Sequence, residues 1–104
     1  MNRIAFKMKL KPGSIEEYKK RHDQLWPELK SLLKQTGINE YSIFYDEDCN
    51  TLFAFQKVNG KGGSQGLGGN EIVRKWWDYM ADIMETNPDS SPVSTPLTEV
   101  FYME

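Results

Sequence analysis

The chain has 104 residues, 38% hydrophobic and 27% charged, with a formal net charge of −2. This is the composition of one globular domain with a core of useful size, residues 1–104, and not of a disordered segment. Its mixed, near-neutral charge offers no basic stripe for a nucleic-acid backbone, and its single cysteine, Cys49, excludes an internal disulfide framework.

The N-terminus alternates apolar and polar residues, where a secretory signal or a membrane helix would need a continuous apolar run. A cytoplasmic protein is therefore expected, with no membrane segment. Ile4, Phe6, Met8 and Leu10 alternate with Arg3, Ala5, Lys7 and Lys9, the period of a strand with one buried face. Pro12-Gly13 punctuates it, and Ser14 with Glu17 three residues on reads as a capping box. Residues 14–34 follow as one helix. Ile15, Tyr18, Leu25, Trp26, Leu29, Leu32 and Leu33 share a stripe, with charged residues opposite. Pro27 should kink or split this helix after Trp26, and Gly37 sits where a helix C-cap belongs. The only histidine, His22, projects from the apolar stripe, with Tyr18 and Trp26 one turn away on either side.

Residues 38–45 are rich in aromatic and β-branched side chains and read as a second strand. Tyr41, Ile43 and Tyr45 lie on one face, Ser42 and Phe44 on the other. Residues 52–58 return as a third strand, making a hairpin. The Gly-rich residues 59–70 read as a mobile loop. Asn70 can cap a second helix over residues 71–84, whose wide stripe includes Trp76 and Trp77. Residues 86–96, with Pro88, Pro92 and Pro96, should be irregular, and residues 97–102 should close the chain as a fourth strand. The order β-α-β-β-α-β predicts an α+β, ferredoxin-like fold: a four-stranded antiparallel sheet with both helices on one face. The strands carry large apolar side chains on parts of both faces, so a second subunit is expected over the sheet.

The plainest reading of His22 is a core histidine bonded to a backbone carbonyl. A functional reading gains from Tyr18, which adds a hydroxyl to the same helix face. Burying both polar tips without partners would cost about 1–3 kcal/mol each. Imidazole can both take and give a proton near neutral pH, so one histidine between hydroxyls suits proton transfer on an uncharged substrate. Trp76 and Trp77 lie about 100° apart on a helix, so one of them should be ordinary core. An indole lining a cavity is a platform for the C–H face of a sugar. Tyr41 and Tyr45 are sheet core or ring stackers with a hydroxyl to spare. One His and one Cys cannot build a zinc site without many carboxylates, so no metal is expected. The Gly-rich stretch fits neither phosphate-binding pattern, and no Ser-His-Asp arrangement is legible.

The segments EEYKKRHDQLWPEL, YSIFYD, LFAF, RKWWDYM, NPDSSPVS and LTEVFY together resemble the L-rhamnose mutarotase family, from the first strand to the C-terminus. The resemblance implies a ferredoxin-like fold, a homodimer joined through its sheets, no cofactor, and interconversion of the α and β anomers of L-rhamnose. It also implies that His22 is the catalytic acid/base and that Tyr18, Tyr41, Trp76 and Trp77 bind the sugar. Family members usually carry a charged, tryptophan-containing helical segment in place of residues 59–70, and that departure leaves another 6-deoxyhexose such as L-fucose open. Two other readings stand beside this one. One is a monooxygenase or haem-handling protein on the same dimeric α+β scaffold, with His22 as axial ligand. The other is a binding module that holds a sugar without turning it over.

Overall fold

The structure, a computed structural model, describes residues 2–59 and 63–104. Its elements are β1 (Asn2–Lys9), α1 (Ile15–Asp23), α2 (Pro27–Gln35), β2 (Ile38–Asp46), β3 (Thr51–Val58), a short 3-10 turn (Ser64–Gly66), α3 (Glu71–Met80) and β4 (Ser94–Leu97). The strands form one antiparallel sheet in the order β2-β3-β1-β4, the α+β arrangement expected. The inward face of the sheet supplies Phe6, Met8, Leu52 and Ala54 to the core, where they meet Tyr18, Leu29, Val73, Trp76, Trp77 and Met80 from the helices. Removing one such large apolar side chain from water stabilises by about 1.5–3 kcal/mol.

The stretch expected as one helix is split in two. Trp26 is extended (φ −58°, ψ 129°), as the residue before a proline prefers, and Pro27 opens α2 at a position where its missing N–H costs nothing. His22 therefore stands in the last turn of α1, not in the middle of a helix. Ser14 makes no side-chain cap. Glu17, its expected capping-box partner, instead binds Arg21 at 2.7 Å. Asn70 does cap α3, accepting from the Ile72 N–H at 2.9 Å. Gly37 follows α2 at φ 88°, the left-handed conformation in which glycine has no steric penalty. The helix of α3 ends at Met80, and Ile83 and Met84 stay buried in the turns that follow.

The fourth strand lies earlier than expected. Ser94–Leu97 pairs with β1, Pro96 standing opposite Phe6, which is tolerable because β4 is an edge strand. Beyond it the chain leaves the ladder. Glu99 meets Arg3 through side chains at 2.9 Å, and the Tyr102 ring lies 3.4 Å from the Arg3 guanidinium. Residues 98–102 have strand propensity but do not continue the ladder.

Candidate functional site

A cleft of about 990 Å³ opens between the helices and the inward face of the sheet. Tyr18, His22, Tyr41, Trp76 and Trp77 all line it, brought there from α1, β2 and α3.

Its helical wall is made of stacked rings. Tyr18 lies over His22 with centroids 4.2 Å apart and planes 28° from parallel, and Trp76 stands at right angles to the imidazole with centroids 5.4 Å apart. Trp26, expected beside His22 on a continuous helix, instead packs on Trp76 at 5.1 Å and on Tyr79 at 5.7 Å, because the break before Pro27 turns it toward α3. His22 Nδ1 is 3.0 Å from the Tyr18 carbonyl. A carbonyl can only accept, so Nδ1 carries the hydrogen and Nε2 holds a bare lone pair in the neutral ring. Among the described residues Nε2 meets no protein partner, and no side-chain nitrogen or oxygen is both sealed from solvent and unpaired. Nε2 is thus accessible on a side chain that lines the cleft, as are the Tyr18 hydroxyl and the two indole N–H groups. Burial lowers the pKa of His22 from its ordinary 6.5, against smaller opposing effects of the Tyr18 backbone and Asp23. The ring is neutral and basic at neutral pH. Burial also raises the pKa of Tyr18 far above the usual phenol range, with the nearby Tyr41 adding to it.

The opposite wall comes from β2, β3 and the Gly-rich stretch. Between Asn39 and Ser42 the register of β2 against β3 shifts by one residue, and Glu40 takes a positive φ of 47°. This bulge places two residues of β2, Glu40 and Tyr41, opposite the single position of Gln56 and aims Tyr41 at the cleft. Gln56 is 0% exposed. Its Oε1 accepts from the Ser64 N–H at 3.1 Å and its Nε2 donates to the Ser64 hydroxyl. Burial raises the pKa of Tyr41, with smaller opposing effects of the neighbouring Ser64 and Gln56 side chains. Tyr45, the other candidate ring stacker, spends its hydroxyl on Asn50 at 2.5 Å.

Residues 63–70 are not the loose linker their composition suggested, whereas residues 60–62 lie outside the described residues. A Cβ on Gly63 would stand 2.3 Å from Ile4 Cδ1 and 2.5 Å from Gln56 Oε1. One on Gly68 would stand 3.0 Å from the Trp77 ring. Glycine is there because backbone packs directly on neighbours. Trp76 and Trp77 both line the cleft, although both are only 8% exposed.

Gln56, Ser64 and Trp26 did not emerge as site residues from the sequence. Gln56 had a legible signal: it shares its strand face with Leu52, Ala54 and Val58 and is the one polar side chain among them. Ser64 had none. Apolar walls, an accessible imidazole lone pair, free indole N–H groups and phenols suit an uncharged, hydroxyl-bearing ligand that gains and loses protons. Among the described residues no group of three or more His, Cys, Asp or Glu could hold a metal, and no helix is long and apolar enough to cross a membrane.

Comparison with known proteins agrees with this chemistry. The family described as L-rhamnose mutarotase matches residues 3–103. An L-rhamnose mutarotase from Formosa agariphila is 72% identical over 104 residues, and one from Bacteroides thetaiotaomicron 65%, each covering all of both chains. The crystal structure of an L-rhamnose mutarotase from Formosa agariphila superposes with a TM-score of 0.93 at 67% identity, again over all of both chains. A structure from Mycobacterium tuberculosis, 12% identical with a TM-score of 0.54 over 98% of this chain, shares the fold alone. None of the three mutarotase relatives is named a haem protein, a monooxygenase or a binding module, and those readings gain no support.

Proposed function

The chain belongs to the L-rhamnose mutarotase family, and from that premise we propose that it is an isomerase interconverting the α and β anomers of L-rhamnose, with His22 as the acid/base. The observation that carries this reading is the imidazole itself. Its Nδ1–H is tied to the Tyr18 carbonyl at 3.0 Å, and its Nε2 lone pair is accessible on a residue lining a cleft. Nε2 takes the proton from the anomeric hydroxyl while a second group protonates the ring oxygen. The C1–ring oxygen bond breaks and C1 becomes the aldehyde carbonyl. After rotation about C1–C2 the ring closes on the other face, and both protons return. No net charge or hydride moves. A positioned acid/base contributes about 10²–10⁴-fold. Tyr18, Tyr41 or a water bound between them is available for the second transfer, and Trp76 and Trp77 hold the apolar face and methyl of the sugar.

The test is anomer exchange followed by NMR magnetisation transfer, with L-rhamnose and L-fucose side by side. Faster exchange of L-rhamnose is expected. Wild-type protein that binds L-rhamnose without accelerating its exchange would overturn the enzymatic reading.

The proposal includes a homodimer joined through the outward sheet faces and a cytoplasmic setting suited to the free Cys49. Phe44 (69% exposed), Phe53 (38%) and Leu97 (39%) stand on the outward face, beside a tail in which Val100 is 91% exposed and Phe101 76%. An apolar patch of this kind is what a second copy covers. Light scattering should give twice 12.1 kDa, and Phe44→Glu should shift it to the monomer; a monomeric wild type would contradict the dimer.

A further inference from the structure

The wall that holds the imidazole is built from two helices. α1 carries Tyr18 and His22, and α3 carries Trp76 and Tyr79. Ring packing sets the planes of these side chains but does not fix how far apart the two helices stand. We propose that Arg21 is a positioning residue for the reaction: it ties the last turn of α1 to the C-terminal end of α3, and so sets where His22 stands against Trp76 and where Nε2 points in the cleft. This rests on the mutarotase reading and goes beyond it by naming a residue outside the cleft lining on which proton transfer depends.

The guanidinium is committed in three directions. Nε donates to Glu17 at 2.7 Å, one turn back on α1, which holds the arginine's own rotamer. Nη1 donates to the Tyr79 carbonyl at 2.8 Å. Nη1 and Nη2 together grip both oxygens of Asp82, at 2.8 Å and 3.1 Å, in the turn after α3. α3 ends at Met80, so the Tyr79 carbonyl is among the four that its helix leaves without an internal partner, and a cation there also meets the negative end of the helix dipole. Among the described residues, every hydrogen bond from α1 to α3 or to the turn that follows it belongs to Arg21. Adjacent helical positions point about 100° apart, so Arg21 can face the end of α3 while its neighbour His22 faces the cleft.

The clamp also reaches the imidazole through rings. The Arg21 guanidinium lies 4.5 Å from the centre of the Tyr79 ring, Tyr79 packs on Trp76 at 5.6 Å, and Trp76 meets His22 at 5.4 Å. The one hydrogen bond of His22 among the described residues runs to the Tyr18 carbonyl on its own helix, so it does not relate the ring to α3. Without Arg21 the ends of α1 and α3 move apart, water reaches the imidazole, and Nε2 loses its fixed line to the anomeric hydroxyl. A misplacement of about 1 Å can cost about 10²-fold in rate. Better solvation also undoes the burial that lowers the pKa of His22, which then moves back up toward 6.5.

His22 is the only histidine, so one imidazole signal reports its titration by NMR, with or without sugar. The charged and titratable groups about the ring are Tyr18, Lys19, Arg21 and Asp23 on α1 and Tyr41 from β2, with Glu17 and Asp82 on the far side of Arg21; α3 presents the uncharged Trp76. Removing the Arg21 cation raises the pKa of His22 by charge alone, so Arg21→Ala does not separate charge from position. Asp82→Ala does: loss of an anion lowers that pKa by charge alone, whereas a loosened clamp raises it. Arg21→Ala, Arg21→Lys and Asp82→Ala are compared with wild type below their melting temperatures. The kcat for L-rhamnose anomer exchange should fall about 10–10²-fold in Arg21→Ala and about 3–10-fold in Asp82→Ala, with Arg21→Lys recovering part of the loss. The His22 pKa should rise toward 6.5 in both alanine variants, and the acid limb of the rate profile should move with it. A folded Arg21→Ala with the wild-type kcat overturns the inference, and so does a folded Asp82→Ala whose imidazole titrates at or below the wild-type value. Should Arg21→Ala not fold, Arg21→Lys and Asp82→Ala carry the same test. An inactive wild type overturns the mutarotase reading instead, and the sugar-free imidazole titration still decides whether Arg21 places the ring.

Discussion

The two walls of the cleft are built on opposite principles. On the helical side Tyr18, His22, Trp76, Trp26 and Tyr79 are held by ring packing, and among the described residues the one directed bond to the imidazole is that at Nδ1. On the sheet side Gln56 and Ser64 are held to each other by hydrogen bonds with each partner assigned, beside Tyr41 on the cleft wall. Stacking fixes the planes of rings while leaving their polar edges free for a ligand. A hydrogen-bond network fixes the direction of each proton, and in a buried setting it loses heavily if one member is changed. The cleft thus combines a wall whose imidazole keeps an open lone pair with a wall whose buried polar pair is already satisfied.

The strongest way to break this comparison is to remove the lone pair. His22→Ala should reduce L-rhamnose anomer exchange by about 10²–10⁴-fold while the protein stays folded, as read by NMR and a thermal melt. A folded variant at wild-type rate would take His22 out of the mechanism. pH tests the same wall more gently. His22 titrates below its ordinary 6.5, and its neutral form is the base, so the rate should hold through neutral pH and fall as pH drops below 6.5 toward the lowered pKa, tenfold per unit beyond it. Stability follows the same sign. A histidine whose folded pKa is depressed contributes fully above the unfolded value, and that contribution is lost as pH falls through the interval down to the folded one. Melting temperature against pH should therefore decline over the same window, and the decline should be absent in His22→Ala.

The helical wall was the more legible of the two in the sequence. His22, Tyr18 and the Trp76-Trp77 pair follow from helical periodicity, and Pro27 announced a break. What periodicity could not convey was the consequence of that break: a continuous helix puts Trp26 beside His22, and the split sends it to Trp76 and Tyr79. The sheet wall depends on a bulge whose positive-φ residue is Glu40, with no glycine to mark it. Tyr41 was reached by strand alternation, but the buried Gln56–Ser64 pair near it was not. Ser64 lies in a stretch whose glycines signal flexibility in composition and close backbone packing in three dimensions. At the C-terminus, strand propensity in residues 98–102 went unrealised: the ladder to β1 stops at Leu97, and side chains of Arg3, Glu99 and Tyr102 make the contacts beyond it. Local pattern reported side chains well and reported poorly where backbone meets backbone.

A smaller effect sharpens how the stacked wall is braced. Arg21, 10% exposed, binds Glu17 at 2.7 Å, Asp82 at 2.8 Å and the Tyr79 carbonyl at 2.8 Å, with its guanidinium 4.5 Å from the Tyr79 ring. It ties α1 to the end of α3, one residue from His22. Both carboxylates are open to solvent, so Arg21→Ala should cost about 1–2 kcal/mol and not the larger loss of a fully buried pair. For a domain of this size that is a fall in melting temperature of about 4–8 °C per kcal/mol. Arg21→Lys should recover part of it, lacking the two-pronged contact to Asp82. An unchanged melt would mean the ring stack needs no brace.

The mildest perturbation acts where the two walls meet. Gly68 lies against Trp77, and a Cβ there would stand 3.0 Å and 3.2 Å from two atoms of the six-membered ring. Such a contact is tighter than van der Waals distance but not prohibitive, since either the segment or the indole can yield by a few tenths of an ångström. Gly68 has no positive φ, so alanine adds no backbone strain and also narrows the unfolded ensemble. The two effects on stability oppose each other, and Gly68→Ala should melt within about 1 kcal/mol of wild type. The sugar should respond more than the fold does, because Trp77 is displaced within the cleft while His22 is not. The expected outcome is a KM for L-rhamnose raised by about 2–10-fold with kcat nearly unchanged, the pattern of lost uniform binding. If kcat fell and KM held, the indole would be serving the transition state, and the division of labour between a wall that binds and atoms that transfer protons would have to be redrawn.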